Sequence, residues 1–140
     1  MDALKIAFCD DDKTSLNAIA GAVMSILQQQ EIPAQAEKYT NPLELLDCCQ
    51  RMQLDLVFLD IEMPELNGIE LGQKLREVTA ATEIIYVSHR EDCVFNALQV
   101  HPFGFVRKSR FLKDIEDVMH SYLTMLDKRH TEKNVVVQTQ

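Results

Sequence analysis

Short apolar runs alternate with longer amphipathic stretches along this chain, and that alternation restricts its possible folds more than any other feature. The apolar runs lie at 4–9, 54–59, 83–87 and 103–107, with a weaker one at 34–39. The stretches between them place apolar residues every three or four positions, which is the spacing of an amphipathic helix. Strands that alternate with helices in this way are typical of an α/β protein with a parallel sheet.

The strongest run, LDLVFL at 54–59, is apolar enough to predict a central strand that is buried on both faces. Asn41 and Asn67 each precede a predicted helix and have Glu three residues later, which is the spacing of a capping box. Ser109 is placed to cap the last helix. Right-handed crossovers would then give an α/β fold, a doubly wound (βα)5 sandwich around a five-stranded parallel sheet.

Size and charge limit the classes of protein to which the chain belongs. Its 140 residues favour a single domain. The net charge of −8 argues against direct binding of nucleic acid. It fits either a solvated acidic surface or a site rich in carboxylates that awaits a cation. The sequence shows neither a signal peptide nor an apolar stretch of membrane-spanning length, so a cytoplasmic protein without membrane contact is expected.

The four cysteines, Cys9, Cys48, Cys49 and Cys93, form no C-x-x-C motif and have no histidine at zinc-ligand spacing. Reduced and mostly buried thiols are therefore expected.

Polar residues suited to phosphoryl transfer follow four of the five predicted strands. Asp10 and Asp11 end the first strand, Asp60 the third, Ser88 the fourth and Lys108 the fifth. Ligands of such folds bind outside the carboxyl ends of the strands, so these side chains are expected at one rim. Each alone would usually be an ordinary solvated loop residue. Together the carboxylates would repel one another unless a cation such as Mg²⁺ lay among them, and a lysine and a hydroxyl suit phosphoryl oxygens.

Four segments of the chain, IAFCDDD, DLVFLDIEMPELNG, IIYVSHR and FGFVRKS, resemble the receiver domain of two-component response regulators. The resemblance covers about residues 3–127, and its most specific part is an Asp followed by M-P-x-x-x-G. It implies a CheY-like and flavodoxin-like sheet of strand order 2-1-3-4-5. It also implies a receiver domain over 1–129, with 130–140 as a linker or the start of a truncated C-terminal DNA-binding domain.

The resemblance assigns a role to each residue of the rim. Asp60 would be the phosphoacceptor that takes a phosphoryl group from a sensor histidine kinase. Asp11 would bind Mg²⁺ directly and Asp10 through water, together with Asp60 and the backbone carbonyl of Glu62. Lys108 would pair with the phosphoryl group, and the chain would catalyse only its own phosphorylation and dephosphorylation.

The same resemblance makes Ser88 and Phe105 the switch residues. Ser88 would move to the phosphoryl group and Phe105 would turn inward, although Phe105 alone also fits a plain core position. The movement would remodel the face formed by the fourth helix, fifth strand and fifth helix, where partners or a second copy would dock. The segment VSHREDCVFNALQVHPFGFVRKSRF most resembles receivers of LytTR-type transcriptional regulators. In that case residues 135–140 would begin the β-rich DNA-binding domain that follows the receiver, and DNA would be bound only through that domain.

Two features depart from the family pattern. Ser109 follows Lys108 where the family usually has proline after a cis bond; a cis bond is still expected, at a cost of about 2.5–4 kcal/mol. His89 follows Ser88 where many receivers have a small residue, and it either narrows access to Asp60 or simply faces solvent. Glu62 and Arg90 flank the site and could form an ion pair over it. Slow loss of the phosphoryl group is predicted.

Two other functions are compatible with parts of the sequence. Asp10-x-Asp12-x-Thr14 fits the D-x-D-x-T motif of haloacid-dehalogenase-like phosphohydrolases, with Asp10 as nucleophile. That alternative finds no acidic pair after Lys108 and leaves Asp60 without a role. A receiver-like interaction module without phosphorylation is the third class, and it would require a damaged acidic site.

Overall fold

The computed structural model describes residues 2–90, 92 and 94–138, which contain a five-stranded parallel sheet between helices. The strands are β1 (Leu4–Cys9), β2 (Ala34–Tyr39), β3 (Leu56–Asp60), β4 (Glu83–Ser88) and β5 (Gly104–Arg107). The helices are α1 (Lys13–Gln29), α2 (Pro42–Arg51), α3 (Gly68–Val78), α4 (Val94–Ala97) and α5 (Phe111–Gln138). The strand order β2-β1-β3-β4-β5 confirms the predicted doubly wound fold.

Two hydrophobic cores lie on opposite faces of the sheet and explain the apolar character of its centre. One core joins the sheet to α1 and α5, and the other joins it to α2, α3 and α4. Every residue of β3 is buried because helices cover both of its faces. The edge strand β2 is mostly exposed, which accounts for its weaker apolar pattern.

Asparagine caps fix the starts of α2 and α3 as predicted. Asn41 Oδ1 accepts a hydrogen bond from the Leu43 N–H at 2.9 Å. Asn67 Oδ1 accepts one from the Glu70 N–H at 2.9 Å, and its amide donates to Glu70 Oε1 at 3.1 Å. These contacts satisfy N–H groups that have no partner within the helix.

The start of α5 differs from the prediction of a Ser109 cap. Ser109 lies inside a 3₁₀ turn over Lys108–Arg110, so it does not occupy the cap position. Instead Asp114, in the first turn of α5, accepts a hydrogen bond from the Arg107 N–H at 2.8 Å and pairs with the Arg107 guanidinium.

The end of α5 also differs from the sequence prediction, because the helix continues to Gln138 and residues 135–137 are helical. No glycine or proline interrupts the chain after Phe111, so nothing local ends the helix. The proposed domain boundary after residue 129 stays a prediction.

Cys9, Cys48 and Cys49 are buried free thiols, as expected, while Cys93 is outside the described residues. Among the helices that the structure describes, none combines the length and apolarity that crossing a membrane requires.

Candidate functional site

Asp60 ends the central strand and is almost fully buried, with 3% of its surface exposed. The Glu62 N–H donates a hydrogen bond to Asp60 Oδ1 at 3.2 Å. The loop then returns against its own beginning, where the Gly68 N–H donates to the Ile61 carbonyl at 2.8 Å. A Cβ atom on Gly68 would collide with the Asp60 carbonyl and Ile61 Cα. The glycine of the M-P-x-x-x-G motif therefore permits the tight loop that positions Asp60.

Three carboxylates gather at this rim. Asp10 follows β1 and is buried, with one oxygen held by the Asp12 N–H at 2.9 Å. Asp11 is exposed, and oxygens of Asp10, Asp11 and Asp60 all lie within 4.8 Å of one another. The arrangement follows from the parallel sheet, whose neighbouring strands β1 and β3 end at the same edge.

Lys108 reaches into this cluster from the end of β5. Its Nζ atom lies 3.0 Å from Asp10 Oδ2 and 3.4 Å from Asp60 Oδ2, and its side chain is 9% exposed. The structure thus brings together Asp10, Asp11, Asp60 and Lys108, the four charged residues that the sequence placed at one rim.

Burial governs the protonation of the cluster. Burial, followed by the negative charge of Asp10, raises the pKa of Asp60 to about 7, and Lys108 and the Glu62 N–H offset only part of this rise. Burial alone would lower the pKa of Lys108, but its contacts with Asp10 and Asp60 outweigh that effect and raise it. The cluster is short of positive charge, because one lysine faces three carboxylates.

The neighbouring thiol of Cys9 is not a candidate nucleophile. Burial and the charges of Asp10 and Asp60 raise its pKa to about 12, so it stays protonated at neutral pH. Its Sγ atom lies 3.7 Å from Met63 Sδ within the core.

The Lys108–Ser109 bond is trans, and the expectation of a cis bond is wrong. Without a pyrrolidine ring at position 109, the trans form is favoured by about 2.5–4 kcal/mol. The 3₁₀ turn over Lys108–Arg110 still directs Lys108 to both carboxylates, so the contact needs no cis bond.

Ser88 and Phe105 both line a small cavity of about 20 Å³, roughly the space of one water molecule. Phe105 is half-buried, and its ring stacks on Tyr86 with a centroid separation of 6.1 Å. Ser88 Oγ is placed to donate to Glu62 Oε1 at 3.3 Å or to the Arg90 carbonyl at 3.2 Å, and it accepts from the Arg90 N–H at 2.9 Å.

The loop after Ser88 holds His89, which departs from the family pattern, and Arg90. His89 is exposed. Arg90 forms a bidentate pair with Asp92, with N–O distances of 3.1 and 2.6 Å. The Glu62 carboxylate contacts the Ser88 hydroxyl. The sequence analysis singled out both residues but did not predict this contact.

Tyr86, which stacks on Phe105, and Arg76 had no sequence signal. Tyr86 is fully buried and its hydroxyl has no hydrogen-bond partner within the described structure. Arg76 donates to the carbonyls of Val100, Thr82 and His101. Their roles depend on contacts between distant segments, which local patterns do not show.

Comparison with known families defines the class of protein. Residues 6–120 match the family model described as "Response regulator receiver domain". The chain therefore belongs to the response regulator receiver family, whose members are phosphoacceptors in two-component signalling. The comparisons lend no support to the haloacid-dehalogenase-like alternative.

Three similar proteins illustrate the relationship. A response regulatory protein of Yersinia pestis is 36% identical over 69 residues, which cover 49% of this chain and 29% of that protein. The transcriptional regulatory protein LytR of Staphylococcus aureus is 25% identical over 134 residues, or 96% of this chain and 53% of LytR. The receiver domain of AraT from Geobacillus stearothermophilus superposes with a TM-score of 0.79 at 17% identity, covering 92% and 99% of the two chains. The matched part of this chain thus spans 29% of the length of the Yersinia pestis protein and 53% of the length of LytR.

Proposed function

We propose that Asp60 is the residue that accepts the phosphoryl group, supplied by a sensor histidine kinase. The observation that supports this most is the contact of Lys108 with both Asp10 and Asp60 at the end of the central strand. Each of these two carboxylates also accepts a backbone N–H from the loop that follows it, Asp10 from Asp12 and Asp60 from Glu62. Asp60 is the one followed by the tight loop that Gly68 permits. A carboxylate held in this way presents one oxygen toward the rim.

The residues at the rim fit a hard divalent cation such as Mg²⁺. Their donor atoms are all oxygens, and the three carboxylates approach one another closely enough to share one ion. Asp10, Asp11 and Asp60 would hold it with the Glu62 carbonyl. When bound, Mg²⁺ would supply positive charge that compensates the carboxylates and the phosphoryl oxygens.

The chain's own residues then have the following roles. An Asp60 oxygen forms a bond to phosphorus as the bond from phosphorus to the kinase histidine breaks, and the histidine nitrogen keeps the electron pair. Lys108 exchanges a carboxylate contact for a phosphoryl oxygen. The Ser88 hydroxyl donates a hydrogen bond to another phosphoryl oxygen, and Phe105 turns toward the space that Ser88 leaves. The new charge, about −2 in phosphorylated residues generally, biases this two-state element.

We also propose the output of the switch. The groove beside the switch, about 490 Å³, is lined by β5 and α5 residues that include Phe105, Arg107, Asp114 and Val118. Phosphorylation would remodel this face and favour a homodimer. The similarity to LytR supports control of transcription, through a LytTR-type domain that is not in this chain. A receiver with this role would work in the cytoplasm.

Single substitutions at the two candidate nucleophiles test the assignment. Incubation with acetyl phosphate and Mg²⁺ should label the wild-type chain and the surface control Asp47→Asn, whereas Asp60→Asn should abolish labelling. Labelling that survives in Asp60→Asn and disappears in Asp10→Asn would favour the phosphohydrolase alternative. No labelling of the wild type, with no spectral change on adding beryllofluoride and Mg²⁺, would favour the interaction module.

A further inference from the structure

We propose that Glu62 is a positioning residue for the switch: its carboxylate holds Ser88 in the resting position and opposes the phosphorylated state. This inference rests on the proposed role of Asp60 as phosphoacceptor. It assigns Glu62 a side-chain role besides the backbone carbonyl that would face the cation.

Glu62 contacts both the proposed phosphoacceptor Asp60 and the switch residue Ser88. Its backbone N–H donates to Asp60 Oδ1 at 3.2 Å. Its Oε1 atom lies 3.3 Å from Ser88 Oγ, within reach of a hydrogen bond from the serine hydroxyl. One residue therefore links the phosphoacceptor and the switch hydroxyl, which belong to the neighbouring strands β3 and β4.

The serine hydroxyl has a single proton to donate. In the resting structure the acceptors within reach of the Ser88 hydroxyl are Glu62 Oε1 and the Arg90 carbonyl. Ser88 Oγ itself accepts a hydrogen bond from the Arg90 N–H. A carboxylate is the stronger of these acceptors because it is charged. Donation to a phosphoryl oxygen requires Ser88 to leave Glu62.

Charge acts in the same direction as the hydrogen bond. A phosphoryl group on Asp60 would lie close to the Glu62 carboxylate, which carries charge of the same sign. Glu62 is exposed, so solvent screens part of this repulsion. Both effects favour the resting state, and together they should be worth about 1 kcal/mol, or roughly fivefold in an equilibrium.

Beryllofluoride, which mimics the phosphoryl group, provides the test. Its affinity is measured by calorimetry at saturating Mg²⁺ for the wild type, Glu62→Ala and Glu62→Gln. Glu62→Ala should bind it about fivefold tighter, and Glu62→Gln should gain less because its amide oxygen still accepts a hydrogen bond. Glu65→Gln removes an exposed carboxylate from the same loop and should bind like the wild type.

A Ser88→Ala background separates tethering from general charge effects. With no hydroxyl to hold, the gain from Glu62→Ala should fall to the smaller part that comes from charge repulsion. An NMR spectrum of the backbone amides gives a second readout. Before ligand is added, the Ser88 and Arg90 signals of Glu62→Ala should be shifted toward the positions that they take in the beryllofluoride-bound wild type.

The outcomes distinguish this inference from the function on which it rests. Equal affinities for the wild type and Glu62→Ala, or a gain that persists in full with Ser88→Ala, would overturn the role of Glu62 alone. A wild type that does not bind beryllofluoride, or an Asp60→Asn variant that binds it equally well, would overturn the proposed function itself.

Discussion

At the scale of single residues, the buried and ionised Asp60 that the proposed phosphorylation requires lowers the stability of the folded protein. Its carboxylate is buried beside Asp10, and Lys108 compensates only part of the resulting cost. A carboxyl group whose pKa rises on folding destabilises the protein once it ionises. The pKa of Asp60 rises from 3.8 to about 7, so the cost develops as pH rises between these values and is complete above about 7.

The substitution Asp60→Asn should therefore stabilise the metal-free protein. In EDTA near pH 8, we expect the free energy of unfolding to rise on the order of a few kcal/mol, measured by denaturant unfolding. The gain should shrink toward pH 4, where the unfolded carboxyl is also protonated, and should shrink when Mg²⁺ is added. An unchanged or lower stability of the variant in EDTA at pH 8 would contradict this explanation.

Tyr86 provides a second residue-scale prediction, because its buried hydroxyl has no hydrogen-bond partner within the described structure. Tyr86→Phe removes that unsatisfied group and should leave stability unchanged or raise it by up to about 1 kcal/mol. Gly72→Ala should destabilise the chain, since its Cβ would meet the Tyr86 hydroxyl and Val100.

The double variant Gly72→Ala/Tyr86→Phe should recover part of the loss, because the two changes act on one contact. Thermal unfolding of all four proteins measures this coupling. A marked loss of stability in Tyr86→Phe would show that the hydroxyl has a hydrogen-bond partner. Strictly additive effects would show that Gly72→Ala does not act through that hydroxyl.

At the scale of elements, Arg76 ties α3 to both the start of β4 and the turn after α4. It donates to the Thr82 carbonyl and, at 3.0 and 3.2 Å, to the carbonyls of Val100 and His101. His101 lies in the left-handed region with φ 57°, so its turn depends on support from outside. These contacts hold the turn at Val100 and His101 against α3.

Arg76→Ala should lower the free energy of unfolding by about 1.5–3 kcal/mol, because three backbone carbonyls lose the hydrogen bonds that the charged guanidinium donates. Arg76→Lys should fall between, because an ammonium cannot reproduce the planar guanidinium. Lys74→Ala, exposed on the same helix, is the control and should change little. Equal unfolding midpoints for Arg76→Ala and Lys74→Ala would argue against this role of Arg76.

Sequence predicted the elements well where one local rule decided them. The apolar run before Asp60 gave a buried strand, and Asn41 and Asn67 gave helix starts, because burial and capping depend on neighbouring residues. The turn at Ser109 was mispredicted, since the Asp114 carboxylate seven residues from Arg107 accepts its N–H. The length of α5 was missed because valines at 135–137 suggested a strand.

At the scale of the whole molecule, the rim could be predicted because parallel strands deliver their carboxyl ends to one edge. The contacts of Glu62 with Ser88 and of Arg76 with three distant carbonyls could not. They depend on which side chain lies opposite which segment after folding, and no sequence spacing encodes that.

Dimerisation is the prediction that belongs to this scale. Addition of beryllofluoride and Mg²⁺ should shift the wild type from monomer toward dimer in analytical ultracentrifugation. Asp117 lines the groove beside β5 and α5. Asp117→Arg reverses the charge at that position and should weaken the dimer by disturbing the electrostatic complementarity of this face. Glu37→Arg makes the same charge change on the edge strand β2 and should dimerise like the wild type. A dimer that Asp117→Arg leaves intact and Glu37→Arg disrupts would place the interface elsewhere.

The central claim is that Asp60 carries the phosphoryl group. Treatment of the phosphorylated chain with borohydride reduces an acyl phosphate to an alcohol, and peptide mass spectrometry then locates the altered residue. We predict that the reduced aspartate is Asp60, in the peptide that contains DIEMPELNG. Reduction at Asp10 instead, with Asp60 unmodified, would contradict the account.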